Sequence, residues 1–280
     1  MILDLKELHK KYEMNVRGVL HIGAHIGQEN GVYDELQYVN RMFFEPLTKN
    51  YEQLANNVHN WPLKKIALGP EQGEKEMYVE TANNGQSSSL LKPKIHLDMY
   101  PHITFPDKET VTMDTLDNVM NQESDKSGDN HYEMYNFINM DVQGYELEVL
   151  KGSLEMLNHI DYIMCEVNND EVYEDCCMIT EIDEFLEPYG FKRVEENWLG
   201  GCWGDAFYIK IPEIIEDTPE EEAPETLSPV LPDGMDALAV MYQHGVHVPL
   251  ALTHKQFNVV TTGALENNIS VNEYIISKII

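Results

Sequence analysis

Short apolar runs alternate with amphipathic stretches along most of this chain, the pattern of a sheet wound with helices. Residues 2–14 carry Leu5, Leu8 and Tyr12 at helical spacing and predict an amphipathic helix. Strands are expected at 18–22, 41–45 and 63–68, with helices near 28–38 and 47–58 between them. Met77-Tyr78-Val79 predicts a short extra strand, and residues 81–108, rich in Asn, Ser, Gly and Pro, predict a long loop. A strand at 109–113 leads into a helix for which Asp114 is a good N-cap. Residues 121–133 are polar and are expected to be mobile. Alternation then resumes, with a strand at 135–140, a helix at 145–157, a strand at 160–167 and a helix at 178–187. Two final strands, 190–195 and 204–210, flank Trp198-Leu199-Gly200-Gly201-Cys202-Trp203. That connection is too short for a crossover helix, so the last pair must form an antiparallel hairpin.

The pattern changes after Ile211. PEIIEDTPEEEAPETLSPVLPDG (212–234) concentrates Glu and Pro and reads as an extended, self-repelling linker. Residues 235–280 are apolar enough for a small helical unit, whose role is association with itself or another protein, or packing on the main domain. The domain expectation is therefore 1–211, 212–234 and 235–280.

With 42% hydrophobic residues in 280, the chain can bury a full core. The formal charge of −30 disfavours a nucleic-acid partner, because phosphate binding rests on clustered Lys and Arg. It fits a small or neutral partner. No apolar run approaches about 18 residues and the N-terminus lacks a signal core, so no membrane span is expected and the protein reads as cytoplasmic. Cys165, Cys176, Cys177 and Cys202 form no CxxC pair and are expected to be reduced thiols; no metal is required.

Four features fall at the carboxyl ends of the expected strands, where open α/β sheets bind ligands. The first is VLHIGAHIGQE, residues 19–29, where an apolar strand breaks into a small-residue turn. Glu45 follows Phe43-Phe44 at the distance where dinucleotide folds place the acid that accepts ribose hydroxyls. Asp141 opens DVQGYE, where it meets a ligand, caps the next helix, or does both. Glu166 closes CEVN; a partly buried carboxylate there is either a base or a structural group satisfied by backbone N–H donors.

VLHIGAHIGQE, FFEP, KIALG, SSSLL, VTMDTLD, NMDVQGYELEVLKGS and CEVN occur in the order seen in FkbM-family methyltransferases, which residues 16–210 resemble. The most specific block, DVQGYELEVLKG, is close to that family's DVEGxExxVLxG signature. The resemblance implies a three-layer, Rossmann-like class I methyltransferase sheet of seven strands, the last antiparallel. It implies S-adenosylmethionine as cofactor, with Gly23, Ala24 and Gly27 wrapping its methionine part. Glu45 would hold the ribose hydroxyls, Ala67 and Leu68 would border adenine, and Asp141 would sit beside the methionine amine and the substrate. His21 stands where an acid is usual and His25 where Asn is common; His21 either hydrogen-bonds the cofactor carboxylate or is a satisfied core residue.

Methyl transfer from a sulfonium is an in-line displacement, for which the protein aligns the acceptor and excludes water. A hydroxyl acceptor must also lose a proton, so Asp141 or Glu166 is expected to act as base, with His25, His96 and His102 as further candidates. The resemblance suggests a sugar or related hydroxyl as acceptor, and the loop with Ser87-Ser88-Ser89 and His96 is expected to border it. Two other classes stay open: a cofactor-binding but silent assembly module, and a dinucleotide oxidoreductase, although G-x-G-x-x-G is absent.

Overall fold

The structure, a computed structural model, describes residues 2–58, 60–211, 237–243 and 246–252. In chain order its elements begin with α1 (Leu5–Lys11), β1 (Val19–Ile22), α2 (Asn30–Glu35), β2 (Arg41–Phe44) and α3 (Thr48–Asn57). They continue with β3 (Leu63–Lys64), β4 (Ala67–Leu68), β5 (Gly73–Val79), α4 (Ile95–Met99), β6 (Asp107–Asp114) and α5 (Leu116–Ser127). Then come β7 (Phe137–Met140), α6 (Glu146–Lys151), β8 (Tyr162–Asn168), α7 (Ile179–Leu186), β9 (Phe191–Leu199) and β10 (Trp203–Lys210).

Seven strands form one sheet in the order β3-β2-β1-β7-β8-β10-β9. β1 pairs in parallel with both β2 and β7, and β10 runs antiparallel to β8 and β9. This is the expected α/β class, seven-stranded and closed by an antiparallel hairpin. The central strands are buried on both faces, which is why they read as continuous apolar runs. Leu20, Ile22, Met42, Phe44, Ile138 and Met140 pack against α5, α6 and α7. Val19, Phe43, Phe137 and Met164 pack on the other face against α1, α2 and α3.

Several boundaries differ from expectation for local reasons. Asp4 caps α1 by accepting from Lys6 and Glu7 N–H, so that helix spans less than 2–14. The expected strand at 63–68 splits: Leu63–Lys64 stays in the main sheet, while Ala67–Leu68 joins a separate sheet ordered β4-β6-β5. The expected loop 81–108 contains α4 and is tied down by bridges from Tyr78 to Ser89 and from Pro93 to Tyr173. Residues 121–133 are not a free polar loop. α5 runs to Ser127 and ends at left-handed Gly128, and a short 3-10 turn at His131–Met134 buries Tyr132. Thr115, not Asp114, caps α5, and Asp114 instead accepts from Thr115 N and Asn118 Nδ2. α6 ends at Lys151, and Gly152 at its C-cap lies against Gly69, where an added Cβ would stand 2.0 Å from the Gly69 carbonyl oxygen.

The chain divides into two units, Met1–Ile214 and Ile215–Ile280. In the second, the described residues form an antiparallel pair, Ala237–Gln243 (β11) with Val246–Leu252 (β12). This corrects the expected helix there. Val240, Val246 and Val248 are β-branched, and only two residues separate the segments, as a hairpin requires. The expected linker at 212–234 and residues 253–280 lie outside the described residues. Among the described residues no helix is long and apolar enough to cross a membrane.

Two glycines give a contrasting test of this architecture. Gly23 has φ +74° and an added Cβ would stand 1.9 Å from the Asp141 carbonyl oxygen, whereas Gly31 in α2 has nothing within 4 Å. Gly23→Ala is expected to cost about 3 kcal/mol or more in urea unfolding, and Gly31→Ala to stabilise by about 0.5–1 kcal/mol. Equal effects from the two would contradict the tight packing at the end of β1.

Candidate active site

β1 is the point where the winding of the sheet reverses, with β2 and β3 on one side and β7 onward on the other. At its end Gly23 N and Ala24 N both donate to the Phe44 carbonyl, at 3.0 and 2.9 Å, and Asp141 N donates to the Ile22 carbonyl at 2.9 Å. The chain then turns through left-handed Gly23, His25 and Gly27. Glu45 closes the back of this turn, accepting from His25 N and from Leu47 N, each at 2.9 Å. Burial pushes the Glu45 carboxyl up to about 8, against the pull of those N–H donors.

Two adjoining cavities open at this edge. One encloses ≈ 550 Å³ between the ends of β1, β2 and β4 and the segment 85–90, with an apolar wall that includes Leu47, Ala67, Leu68 and Met77. The other, ≈ 600 Å³, is bounded by His21, Gly23, Ala24, Gln28, Glu29 and Gln86. Gly23, His25, Gln86 and Asp141 line both. Glu45 lies on the wall of the apolar cavity, so a carboxyl group and an apolar surface meet there.

The DVQGYE turn joins Asp141 to Glu166 through Gln143. The Gln143 amide nitrogen donates to Asp141 Oδ1 at 2.7 Å and to Glu166 Oε2 at 2.9 Å. Gln143 Oε1 lies 2.6 Å from the Tyr173 hydroxyl, which also stands 2.9 Å from the Ser87 carbonyl. Ser89 Oγ donates to the Gln143 carbonyl at 2.7 Å, so the 81–108 segment is pinned to the same turn. Gln143 and Gly144 are both left-handed, and a Cβ on Gly144 would come within 2.8 Å of Cys176 Cβ. Burial raises the carboxyls of Asp141 and Glu166, most strongly Glu166, whose negative neighbours Asp141, Glu146 and Asp205 add to it. Asp141 does not cap a helix. Tyr145 holds the N-cap position of α6, and Glu146 ties the turn by accepting from Val142 and Gly144 N–H.

His21 is buried, and burial lowers its pKa and keeps it neutral. The Tyr33 hydroxyl accepts from Asn139 Nδ2 at 2.5 Å and is hydrogen-bonded to His21 Nδ1 at 3.1 Å. The other ring nitrogen, Nε2, lies 3.8 Å from Glu29 on the wall of the polar cavity. His21 is therefore a satisfied core residue whose ring also borders the polar cavity. The His25 ring is held by Gln28 Nε2 at 2.9 Å and the Asn84 carbonyl at 2.9 Å. His96 packs among Tyr100, Phe105 and Tyr173, and His102 sits beside Tyr100.

The residues expected to form a site converge: Gly23, Ala24, His21, His25, Glu45, Ala67, Leu68 and Asp141 all line the paired cavities. Gly27 does not; its place is against Leu54 and Val58 of the α3 region. Glu166 reaches the site through Gln143. Gln143, Gln86 and Tyr173 join them, and Asp205 stands opposite Glu166, none of them marked by the pattern of strand ends. A polar residue before the glycine of DVQG was the available signal for Gln143. Tyr173 and Asp205 carried none, since only the tertiary fold brings them here. Among the described residues, no group of three or more His, Cys, Asp and Glu is arranged to hold a metal ion.

Residues 21–193 match the family model described as the methyltransferase FkbM domain. The chain belongs to that family. A curated relative of the FkbM domain protein, the 2-O-methyltransferase NoeI of Sinorhizobium fredii (strain NBRC 101917 / NGR234), is 26% identical over 180 residues, covering 61% of this chain and 71% of the relative. Solved structures similar to it include a SAM dependent methyltransferase from Aquifex aeolicus, with 11% identity, TM-score 0.40, and coverage of 75% and 91% of the two chains. Another is magnesium protoporphyrin IX methyltransferase from Synechocystis PCC 6803 with bound SAM, with 9% identity, TM-score 0.37, and 69% of each chain covered.

The raised Glu45 carboxyl gives a pH dependence of stability with a definite sign. It binds its proton more tightly folded than unfolded, so its contribution is complete below the ordinary carboxylate value of 4.5 and is lost as pH rises through about 8. Urea melts of the ligand-free protein from pH 5 to pH 9 are expected to show stability falling across that window. Glu45→Gln is expected to flatten the fall. An unchanged slope in the variant would contradict a protonated Glu45.

Proposed function

We propose that this FkbM-family methyltransferase binds S-adenosylmethionine in the paired cavities and methylates a hydroxyl of a neutral sugar or similar polyol. The observation that carries the cofactor reading is the Glu45 carboxyl standing behind the Gly23-Ala24 turn, on the wall of an apolar cavity. The residues present fit the group. Ala67, Leu68 and Met77 offer an apolar wall to adenine. Glu45 offers two oxygens to the ribose hydroxyls, and the His21 ring borders the compartment suited to the methionine part. S-adenosylmethionine supplies an electrophilic methyl group on a sulfonium.

Asp141 lines both cavities and is the proposed base, taking the acceptor hydroxyl's proton as its oxygen gains the methyl group. Glu166, further from the cavities and more strongly held protonated, is a positioning partner that shares the Gln143 amide. The charge of −30 supports a neutral acceptor, and the likeness to a 2-O-methyltransferase supports oxygen as the atom methylated.

Calorimetric titration with S-adenosylhomocysteine, followed by turnover on a panel of methyl glycosides, tests this reading. Glu45→Ala is expected to weaken S-adenosylhomocysteine binding by about tenfold or more. Asp141→Asn is expected to lower turnover by about 100-fold or more with that affinity within about threefold, and Glu166→Gln to lower turnover less. Absence of S-adenosylhomocysteine binding would overturn the cofactor assignment. Full turnover by Asp141→Asn would remove Asp141 as base.

A further inference from the structure

One face of the sheet carries a polar row at its carboxyl edge that the reading above uses only in part. On β8, Tyr162 and Met164 face the layer of α1, α2 and α3, so the pleat turns Glu166 and Asn168 to that side as well. On β10, Phe207 and Ile209 face the same layer, which brings Asp205 and Trp203 round beside them. The register sets Asp205 opposite Glu166 and Trp203 opposite Asn168. Glu166 in turn shares the Gln143 amide with Asp141, so the row begins at the proposed base.

Three atoms of this row are buried without any hydrogen-bond partner: Asn168 Nδ2, Asn168 Oδ1 and Asp205 Oδ1. Both residues are 0% exposed. Buried polar groups are almost always bonded, and an amide left with neither donor nor acceptor satisfied lowers stability. A position serving only the fold would do better with Leu. The second oxygen of Asp205 accepts from the backbone N–H groups of Ile2 and Leu3, so this segment lies across the row as a strap.

We infer that Asn168 and Asp205 form the acceptor subsite, binding hydroxyl groups next to the one that Asp141 deprotonates on a neutral, polyhydroxylated ring. The inference rests on the methyltransferase reading and assigns the residues that hold its acceptor. A carboxyl oxygen accepts from a hydroxyl, and an amide both gives and takes one hydrogen bond, as a hydroxyl does. Asn168 and Glu166 are one pleat repeat apart, about 7 Å, a span that substituents of a single sugar ring can bridge. The row contains no Lys or Arg, so it offers nothing to a phosphate or carboxylate on the acceptor. Half-buried Trp203 at its end adds an aromatic surface of the kind that packs on the C–H face of a sugar. A hydroxyl of the ring would donate to the unpartnered Asp205 Oδ1, while Oδ2 accepts from Ile2 and Leu3 N–H.

The test uses the full chain loaded with S-adenosylhomocysteine and titrated with neutral methyl glycosides, their singly deoxygenated analogues and a methyl glucuronide. Neutral glycosides are expected to bind, with the best ligand losing about tenfold or more on removal of one hydroxyl and the glucuronide not binding. Asn168→Leu is expected to lose glycoside binding by about tenfold or more, with S-adenosylhomocysteine affinity unchanged. Its Tm should rise by about 2–4 °C, because an unsatisfied buried amide is gone. Asn168→Ser, which changes volume differently, is expected to weaken the glycoside to a similar degree. Unchanged glycoside affinity in either variant, a fall in Tm for Asn168→Leu, or no glycoside bound by the loaded wild type would overturn the subsite. Failure of S-adenosylhomocysteine to bind at all would instead overturn the methyltransferase reading beneath it.

Discussion

The carboxyl edge of this domain depends on the missing side chain at Gly23. There β1 ends between β2 and β7, so close to β7 that a Cβ would meet the Asp141 carbonyl oxygen at 1.9 Å. That contact brings Asp141 to the mouth of the glycine turn, while the N–H groups of Gly23 and Ala24 are spent on the Phe44 carbonyl. The same hydrogen bonds carry β2 alongside and so deliver Glu45 to the turn from behind. One close approach thereby sets two carboxyl groups on opposite sides of a single notch.

The second organising fact is a group of buried acids in a strongly acidic protein. Asp141, Glu146, Glu166 and Asp205 lie within mutual influence, and burial raises each of them. The fold manages this with neutral donors rather than cations: the Gln143 amide between Asp141 and Glu166, and backbone N–H groups for Glu146 and Asp205. A proton retained at Glu166, the most strongly raised of the group, avoids the repulsion that full ionisation would bring and lets Asp141 carry the charge at the cavity. Such an arrangement leaves the site without fixed positive charge, which suits proton removal from a neutral hydroxyl.

Much of this was legible in the sequence because strands buried on both faces must be apolar, and because the turns ending them need glycine. VLHIG, MFFE and NMDVQG announce both the strands and the residues at their ends. Reading failed where tertiary contacts decide. Ala67 and Leu68 follow β3 closely enough to look like its continuation, yet they pair with β6. The polar segment 121–133 looks mobile until Met120 and Tyr132 are seen anchoring it to the core. The alternating stretch 237–252 carries apolar residues that fit a helix or a strand, and its hairpin is set by pairing that composition does not reveal. Gln143, Tyr173 and Asn168 acquire their roles only from neighbours distant in the chain.

The most direct measurement is calorimetric titration of the protein with S-adenosylhomocysteine at pH 7 in two buffers of different ionisation enthalpy. Glu45 is held protonated in the ligand-free protein, with its carboxyl at about 8, and ribose hydroxyls donating to it favour the ionised form. Binding is therefore predicted to release protons, seen as a buffer-dependent heat that disappears in Glu45→Gln. Binding with no buffer dependence, or no binding, would contradict the placement of the cofactor at this notch.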